Sequence, residues 1–203
     1  ANSIYANIYS GSAWEGATLL ETGTNQAYEP RIASDGTGYA VTWLQSDVTA
    51  QSIYANIYSG SAWGGAALLE TANYSVYSAQ IASNGTGYAV TWYQYDGSTY
   101  SIYANIYSGS AWGGATLIES GSGSADTPFI SRKGAGYGVV WQQPDSQGVS
   151  TIYAALYATS WSSETALVSG TYRTASLLPK LATNSDGTTV AVWLQYNNYM
   201  PTI

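Results

Sequence analysis

The sequence has no cysteine and no histidine, and only five of its 203 residues are basic: Arg31, Arg132, Lys133, Arg173 and Lys180. Each absence removes a class of chemistry. Without cysteine there is no disulfide, no thiolate nucleophile and no zinc–thiolate site. Without histidine the commonest general base and metal ligand is missing. The formal net charge is −7. With no cluster of Lys and Arg to neutralise phosphates, nucleic acid is excluded as a partner, and an anionic membrane surface with it. No stretch approaches the ~20 apolar residues of a membrane-spanning helix, so no membrane insertion is expected. Charged residues make up 8% of the chain, against about 25% in ordinary soluble domains. There is one Phe and one Met.

In their place stand 20 Tyr, 8 Trp and 22 Gly among many Ser, Thr, Asn and Gln. Tyr and Trp join an apolar body to a polar tip and serve cores and wet binding surfaces alike. A 45% hydrophobic fraction is enough to build a core, and the length suits one domain, since domains run ~50–250 residues. The Lys-poor, Tyr/Ser/Gly/Asn-rich composition fits a secreted or cell-surface protein, with Ala1-Asn2-Ser3 read as a mature start left by cleavage of a leader.

The chain repeats itself. The segment from Ser3 to Trp14 recurs letter for letter from Ser52 to Trp63 and from Ser101 to Trp112, and in degraded form from Ile152 to Trp161. Trp43, Trp92 and Trp141 keep the same beat, and Trp193 follows after a three-residue slip. The copies run approximately over residues 3–51, 52–100, 101–151 and 152–203. Each holds four short strand-like runs, in the first copy Ile4–Tyr9, Ala17–Glu21, Arg31–Ser34 and Tyr39–Trp43, with the two-residue alternation a strand requires. Asp35-Gly36 and Asn84-Gly85 are hairpin turns. No helical period competes, so the expectation is an all-β chain.

Four antiparallel strands per ~40–50 residues is the unit of a β-propeller blade. The run Pro-x-Ile-Ala-x-Asp-Gly-x-Gly-x-Ala-Val-x-Trp, then Ile-Tyr-Ala-x-x-Tyr, then Trp-Gly-x-Ala-x-Leu resembles repeats of bacterial exported propeller proteins. It is also similar to the blades of tachylectin-type lectins. The resemblance covers the whole chain and implies a propeller of four four-stranded blades, with strands A to D counted from the axis outward. Arg31–Ser34 is then A, Tyr39–Trp43 B, Ile53–Tyr58 C and Ala66–Glu70 D. The chain starts with a C–D pair (Ile4–Glu21) and finishes with an A–B pair (Leu178–Ala182 and Thr189–Gln195). Pairing of these halves would close the last blade, either within one chain or between two.

Two sets of candidate residues follow. The loop between strands C and D carries Trp14, Trp63, Trp112 and Trp161, with Ser12, Ser61 and Ser110 beside the first three. An indole flanked by small polar residues is a stacking platform for a sugar ring, or else a cap on the edge of its own blade. The D–A and B–C loops differ freely between copies and carry Tyr28, Tyr74, Tyr77, Tyr93, Tyr95, Asp96, Tyr100 and Tyr196, a composition like that of a binding loop set. Trp43, Trp92, Trp141 and Trp193 read as core between blades. Asn7, Asn56 and Asn105, replaced by Ala155 in copy four, read as structural hydrogen-bonding residues. Glu21, Glu70 and Glu119 occupy matching ends of strand D, but equivalent places in successive blades stand too far apart for a carboxylate pair. Asp35 and Asp186 would begin calcium loops, yet Asn84 and Lys133 stand at that position elsewhere.

The expectation is therefore a non-enzymatic module with no catalytic residues, no metal and no cofactor. Its partner would be a glycan or another cell-surface polymer, or copies of itself. A structural subunit of an extracellular filament or surface layer is the alternative.

Overall fold

The computed structural model describes residues 1–47, 50–71, 73–168 and 176–196. The last D–A connection, 169–175, and the tail, 197–203, lie outside these residues. No helix occurs among the described residues. The first strands are β1 (Tyr5–Ala6) and β2 (Thr18–Leu19). Three complete blades follow. The first holds β3 (Ala27–Ser34), β4 (Tyr39–Ser46), β5 (Gln51–Tyr58) and β6 (Ala67–Leu68). The second holds β7 (Val76–Ser83), β8 (Tyr88–Tyr95), β9 (Tyr100–Tyr107) and β10 (Thr116–Leu117). The third holds β11 (Asp126–Lys133), β12 (Gly136–Pro144), β13 (Ser150–Tyr157) and β14 (Thr165–Ala166). The chain continues with β15 (Ser176–Thr183) and β16 (Thr189–Gln195). Each complete blade is an antiparallel sheet in chain order. The hairpin joining β3 to β4 places Gly36 at φ 94°, and Gly85 repeats it at 96°, which is why Asp-Gly and Asn-Gly recur there.

Blades stack through their A strands. β3 adjoins β7, β7 adjoins β11, and β11 adjoins β15, so these strands line the inner side while the two-residue D strands lie outermost. The core fills the junctions between blades. Leu44 of the first blade packs with Val76, Ala79, Val90 and Trp92 of the second, and Ala89 and Ile102 of the second pack with Ile130, Val139 and Trp141 of the third. Burial of each Leu, Ile or Val among them stabilises by about 1.5–3 kcal/mol. The tryptophans of strand B are core, as their spacing implied: Trp43, Trp92 and Trp141 are fully buried and Trp193 is partly so. Each keeps its indole N–H satisfied by the glutamine two residues on, at 3.0, 3.2, 2.8 and 3.3 Å. A buried N–H without such a partner costs about 1–3 kcal/mol.

Strand A is irregular in the same way in every copy. The ladder slips between Tyr28 and Arg31, Tyr77 and Gln80, Asp126 and Phe129, and Leu177 and Lys180. At the slip Glu29, Ser78, Thr127 and Leu178 take left-handed φ values of 53°, 51°, 48° and 56°.

The closing blade differs from expectation. Its halves stand as separate two-stranded sheets, β1–β2 and β15–β16, and among the described residues no pairing joins them. Each half is anchored by its neighbour in sequence. Ile4 and Leu20 pack on Ala27, Val41 and Trp43, while Leu181 and Ala191 pack with Val140 of the third blade. Those junctions do not by themselves bring the two ends together. Val190, Val192 and Leu194 on β16, with Tyr5 and Leu19 on the other half, remain exposed.

Candidate functional site

The loop tryptophans share one packing arrangement. Each bridges back to the tyrosine that ends strand C, with ring centroids 5.5 Å apart for Tyr9–Trp14, 5.4 Å for Tyr58–Trp63 and Tyr107–Trp112, and 5.2 Å for Tyr157–Trp161. Trp14 is 66% exposed. Trp63, Trp112 and Trp161 rest one side on the junction with the preceding blade and turn the other outward. Ser12, Ser61 and Ser110 are exposed in the turns before them. Tyr74, Tyr77 and Tyr95 gather in a separate aromatic group with Tyr93 and Tyr100.

The copies agree closely, so each departure from the repeat stands out. Strand C carries an asparagine that spans a junction. Asn56 donates to the Leu20 carbonyl at 3.1 Å, and Asn105 donates to Leu69 at 2.9 Å and Gly113 at 3.1 Å. The third blade has Ala155 in this place, buried beside Ile118. An alanine has no donor to tie the two walls together. At the same junction a groove of about 670 Å³ runs between the second and third blades. Its walls include Ile118, Glu119 and Ser120 from one blade, and Tyr157, Trp161, Ser162 and Glu164 from the next.

Two glutamates, Glu119 and Glu164, line this groove. Glu119 is the strand D acid of its copy and is 7% exposed. The core positions it: Trp141 donates its indole N–H to Gln143 Oε1, and Gln143 Nε2 donates to Glu119 Oε2 at 3.0 Å and to the Gly123 carbonyl at 3.2 Å. Glu164 comes from the other wall. It accepts the backbone N–H of Ser120 at 2.9 Å and the Ser120 hydroxyl at 3.0 Å. Neighbouring phenols respond to both charges. Burial, and then the charge of Glu164, pushes Tyr153 above the ordinary tyrosine range; burial, Asp96 and Glu119 do the same to Tyr103.

Glu164 and Gln143 were not singled out from sequence as site residues. A signal existed: Glu164 stands where the other copies have Ala17, Ala66 and Ala115. In the copies that follow Glu21 and Glu70 the place matching Glu164 is held by Ala66 and Ala115. Asn84, within a glycosylation pattern, uses its amide in its own turn and on the Ala135 carbonyl.

No protein-family model matches the chain, and no curated protein sequence matches it. Solved structures do resemble it. One is an α-L-arabinofuranosidase from Lactobacillus brevis, 12% identical with a TM-score of 0.52, covering 93% of this chain and 73% of that one. Another is the Hadza microbial sialidase Hz136, 9% identical with a TM-score of 0.53, covering 76% and 39%. A third is a thermostable family-43 glycoside hydrolase, 11% identical with a TM-score of 0.51, covering 84% and 66%. This chain therefore spans under two fifths of the sialidase and about two thirds of the family-43 enzyme. The expectation of a non-enzymatic binding module, and of a filament subunit as its alternative, is corrected here, because the structures it resembles are glycoside hydrolases. That expectation sought a carboxylate pair among acids that repeat, whereas the pair in the groove joins a repeating acid to one that does not. At such identities the likeness carries the architecture alone: the chain is an all-β propeller built of four-stranded blades.

Proposed function

We propose that this chain is a glycoside hydrolase whose site is the groove between the second and third blades. The observation that carries the reading is that Glu119 and Glu164, one from each wall, line a groove that the partly exposed Trp161 also lines. Glycosidic bonds are cleaved by two carboxyl groups, one protonating the leaving oxygen and the other acting as base or nucleophile. An indole face suits the C–H face of a sugar ring and would hold it across that pair. The loop hydroxyls of Ser160 and Ser162 would meet sugar hydroxyls. Stacking on Trp14, Trp63 and Trp112, with Ser12, Ser61 and Ser110 beside them, would extend contact with a longer glycan. Export belongs to the same proposal, supported by the cysteine-free, lysine-poor composition.

The experiment is a panel of aryl glycosides, including α-L-arabinofuranosides and sialosides, hydrolysed by the wild type and by Glu119→Gln and Glu164→Ala. General acid–base groups contribute about 10²–10⁴-fold, so either variant should lose at least about a hundredfold in kcat/KM with its fold intact. No turnover of any glycoside by the wild type, or turnover that both variants keep, would overturn the reading.

A further inference from the structure

Comparison between copies isolates a second departure, away from the groove. In the second blade Tyr93 stands where the first has Leu44, Tyr95 where it has Ser46, Tyr100 where it has Gln51, and Tyr74 where it has Asn25. The first blade forms the same sheet without them, so these four rings are not required by the fold. Together with Tyr77 they make one continuous aromatic surface. Tyr77 and Tyr93 stack at 5.3 Å, Tyr93 meets Tyr100 edge-on at 5.5 Å, Tyr100 meets Tyr95 at 5.6 Å, and Tyr95 meets Tyr74 at 5.4 Å. Packing leaves all five partly or largely accessible, and Tyr74 is 43% exposed.

The rim is polar and acidic. Asp126 of the third blade stands where the first two blades have Tyr28 and Tyr77, partly buried, and accepts the Thr127 hydroxyl at 3.1 Å. Burial pushes its carboxyl above the usual aspartate range, and its charge in turn raises Tyr93, whose shift is led by burial. Asp96 caps its own turn through Ser98 and Thr99, and the Thr99 hydroxyl meets that of Ser124 at 2.9 Å. None of these residues is Lys or Arg, so the surface offers nothing to pair with a carboxylate, sulfate or phosphate and repels all three.

We propose that this tyrosine face is a second glycan-holding surface, separate from the groove, which takes an uncharged polysaccharide by stacking sugar rings on phenol rings. Aromatic rings supply contact area at low entropic cost, and the Ser, Thr and Tyr hydroxyls meet those of the sugar. A polymer held there would stay tethered while a chain segment visits the groove, raising its local concentration. The tethering does not depend on which bond the groove cleaves, or whether it cleaves one.

The test is affinity electrophoresis of the whole chain in gels cast with arabinan, xylan or laminarin, all neutral, and with polygalacturonate, which is anionic. The variant is Tyr74→Asn with Tyr95→Ser and Tyr100→Gln, each the residue the first blade carries at that place, so the blade keeps a sequence known to fold. Tyr95→Ser alone is the fallback should the triple variant melt early. Wild type should be retarded by at least one neutral polymer, and the triple variant should bind that polymer about tenfold more weakly or worse, while Trp161→Ala keeps most of the retardation. Hydrolysis of small aryl glycosides, measured in parallel, should not differ between wild type and the triple variant, so failure of the groove reading shows separately. Retardation by polygalacturonate alone, by no neutral polymer, or equally in wild type and variant overturns the proposal.

Discussion

Glu164 grips Ser120 by both of its carboxylate oxygens, one on the backbone N–H at 2.9 Å and one on the hydroxyl at 3.0 Å. The contact crosses a blade junction and fixes the backbone next to Glu119. Two acids from different repeats are thereby held to one piece of chain, one through the core by way of Gln143 and one through the rim. A site that needs a definite spacing between carboxyl groups gains from this arrangement, because neither acid rests on a loose loop.

Glu164→Ala restores the residue of the other three copies. Two partly solvated hydrogen bonds are lost, so stability should fall by only about 1 kcal/mol. Thermal melting with near-unchanged cooperativity, beside a large loss of glycoside turnover, is the expected pair of results. A melting temperature that collapses would recast Glu164 as a structural strut.

Gln143→Leu removes the link between the core and Glu119. It leaves the Trp141 N–H buried without its acceptor and takes one donor from the Glu119 carboxylate. The cost should be about 1–3 kcal/mol, read as a shift in urea midpoint with unchanged m-value. Gln45→Leu in the first blade, whose glutamine also serves a buried tryptophan, is the comparison. Both should destabilise alike, and only the first should alter turnover.

Ala155→Asn tests whether a tie between the two blades behind the groove alters the groove. By analogy with Asn105, the new amide would reach the carbonyls of Ile118 and Ser162 across the two walls. Folding should survive, since Asn56 and Asn105 fill the same slot. Turnover should drop about tenfold or more, equivalent to about 1.4 kcal/mol of lost transition-state binding. Unchanged kinetics would mean that such a tie leaves the groove as it is.

Asp126→Asn gives a signed pH effect. Burial raises the Asp126 carboxyl in the folded chain, so the folded state binds the proton more tightly than the unfolded one. Stability from this residue therefore falls as pH rises above the ordinary aspartate value of about 3.9, and stays reduced at neutrality. The asparagine variant should melt above wild type at pH 7 and lose that advantage near pH 3. Asp96 runs the other way: backbone bonds from Thr99 and Ser98 lower it, so its contribution is present at neutrality and lost on acidification. Melting curves from pH 3 to 7 on Asp126→Asn and Asp96→Asn separate the two signs.

Much of this architecture can be read directly from the chain, because three near-identical copies state the strand order, the turns and the buried tryptophans three times over. The Trp43 position needs no long-range information: an apolar residue, Val41, Val90, Val139 or Ala191, stands two places before the tryptophan in every copy. The site was hidden by the same regularity. Glu164 and Ala155 sit in the copy that has drifted, where a departure reads as decay, and their meaning depends on what the preceding blade presents across the junction. Sequence spacing does not report a contact such as Glu164–Ser120 between blades. The unpaired halves at β1–β2 and β15–β16 show the same limit, since repeat phase names their complementary strands without bringing them together.

The kink in strand A has a consequence for how stability can be raised. Four different side chains occupy the left-handed position, and three of them, Glu29, Thr127 and Leu178, precede a proline, Pro30, Pro128 and Pro179. No shared chemistry among glutamate, serine, threonine and leucine favours that conformation, so the blade imposes it on whatever residue arrives. Each non-glycine residue there carries an energetic penalty of about 1 kcal/mol or more. The innermost strands thus hold an unspent reserve: glycine at Thr127 or Leu178 would relieve the backbone where it bends, and the propeller should tolerate that exchange in any of its copies without altering a single contact in the groove.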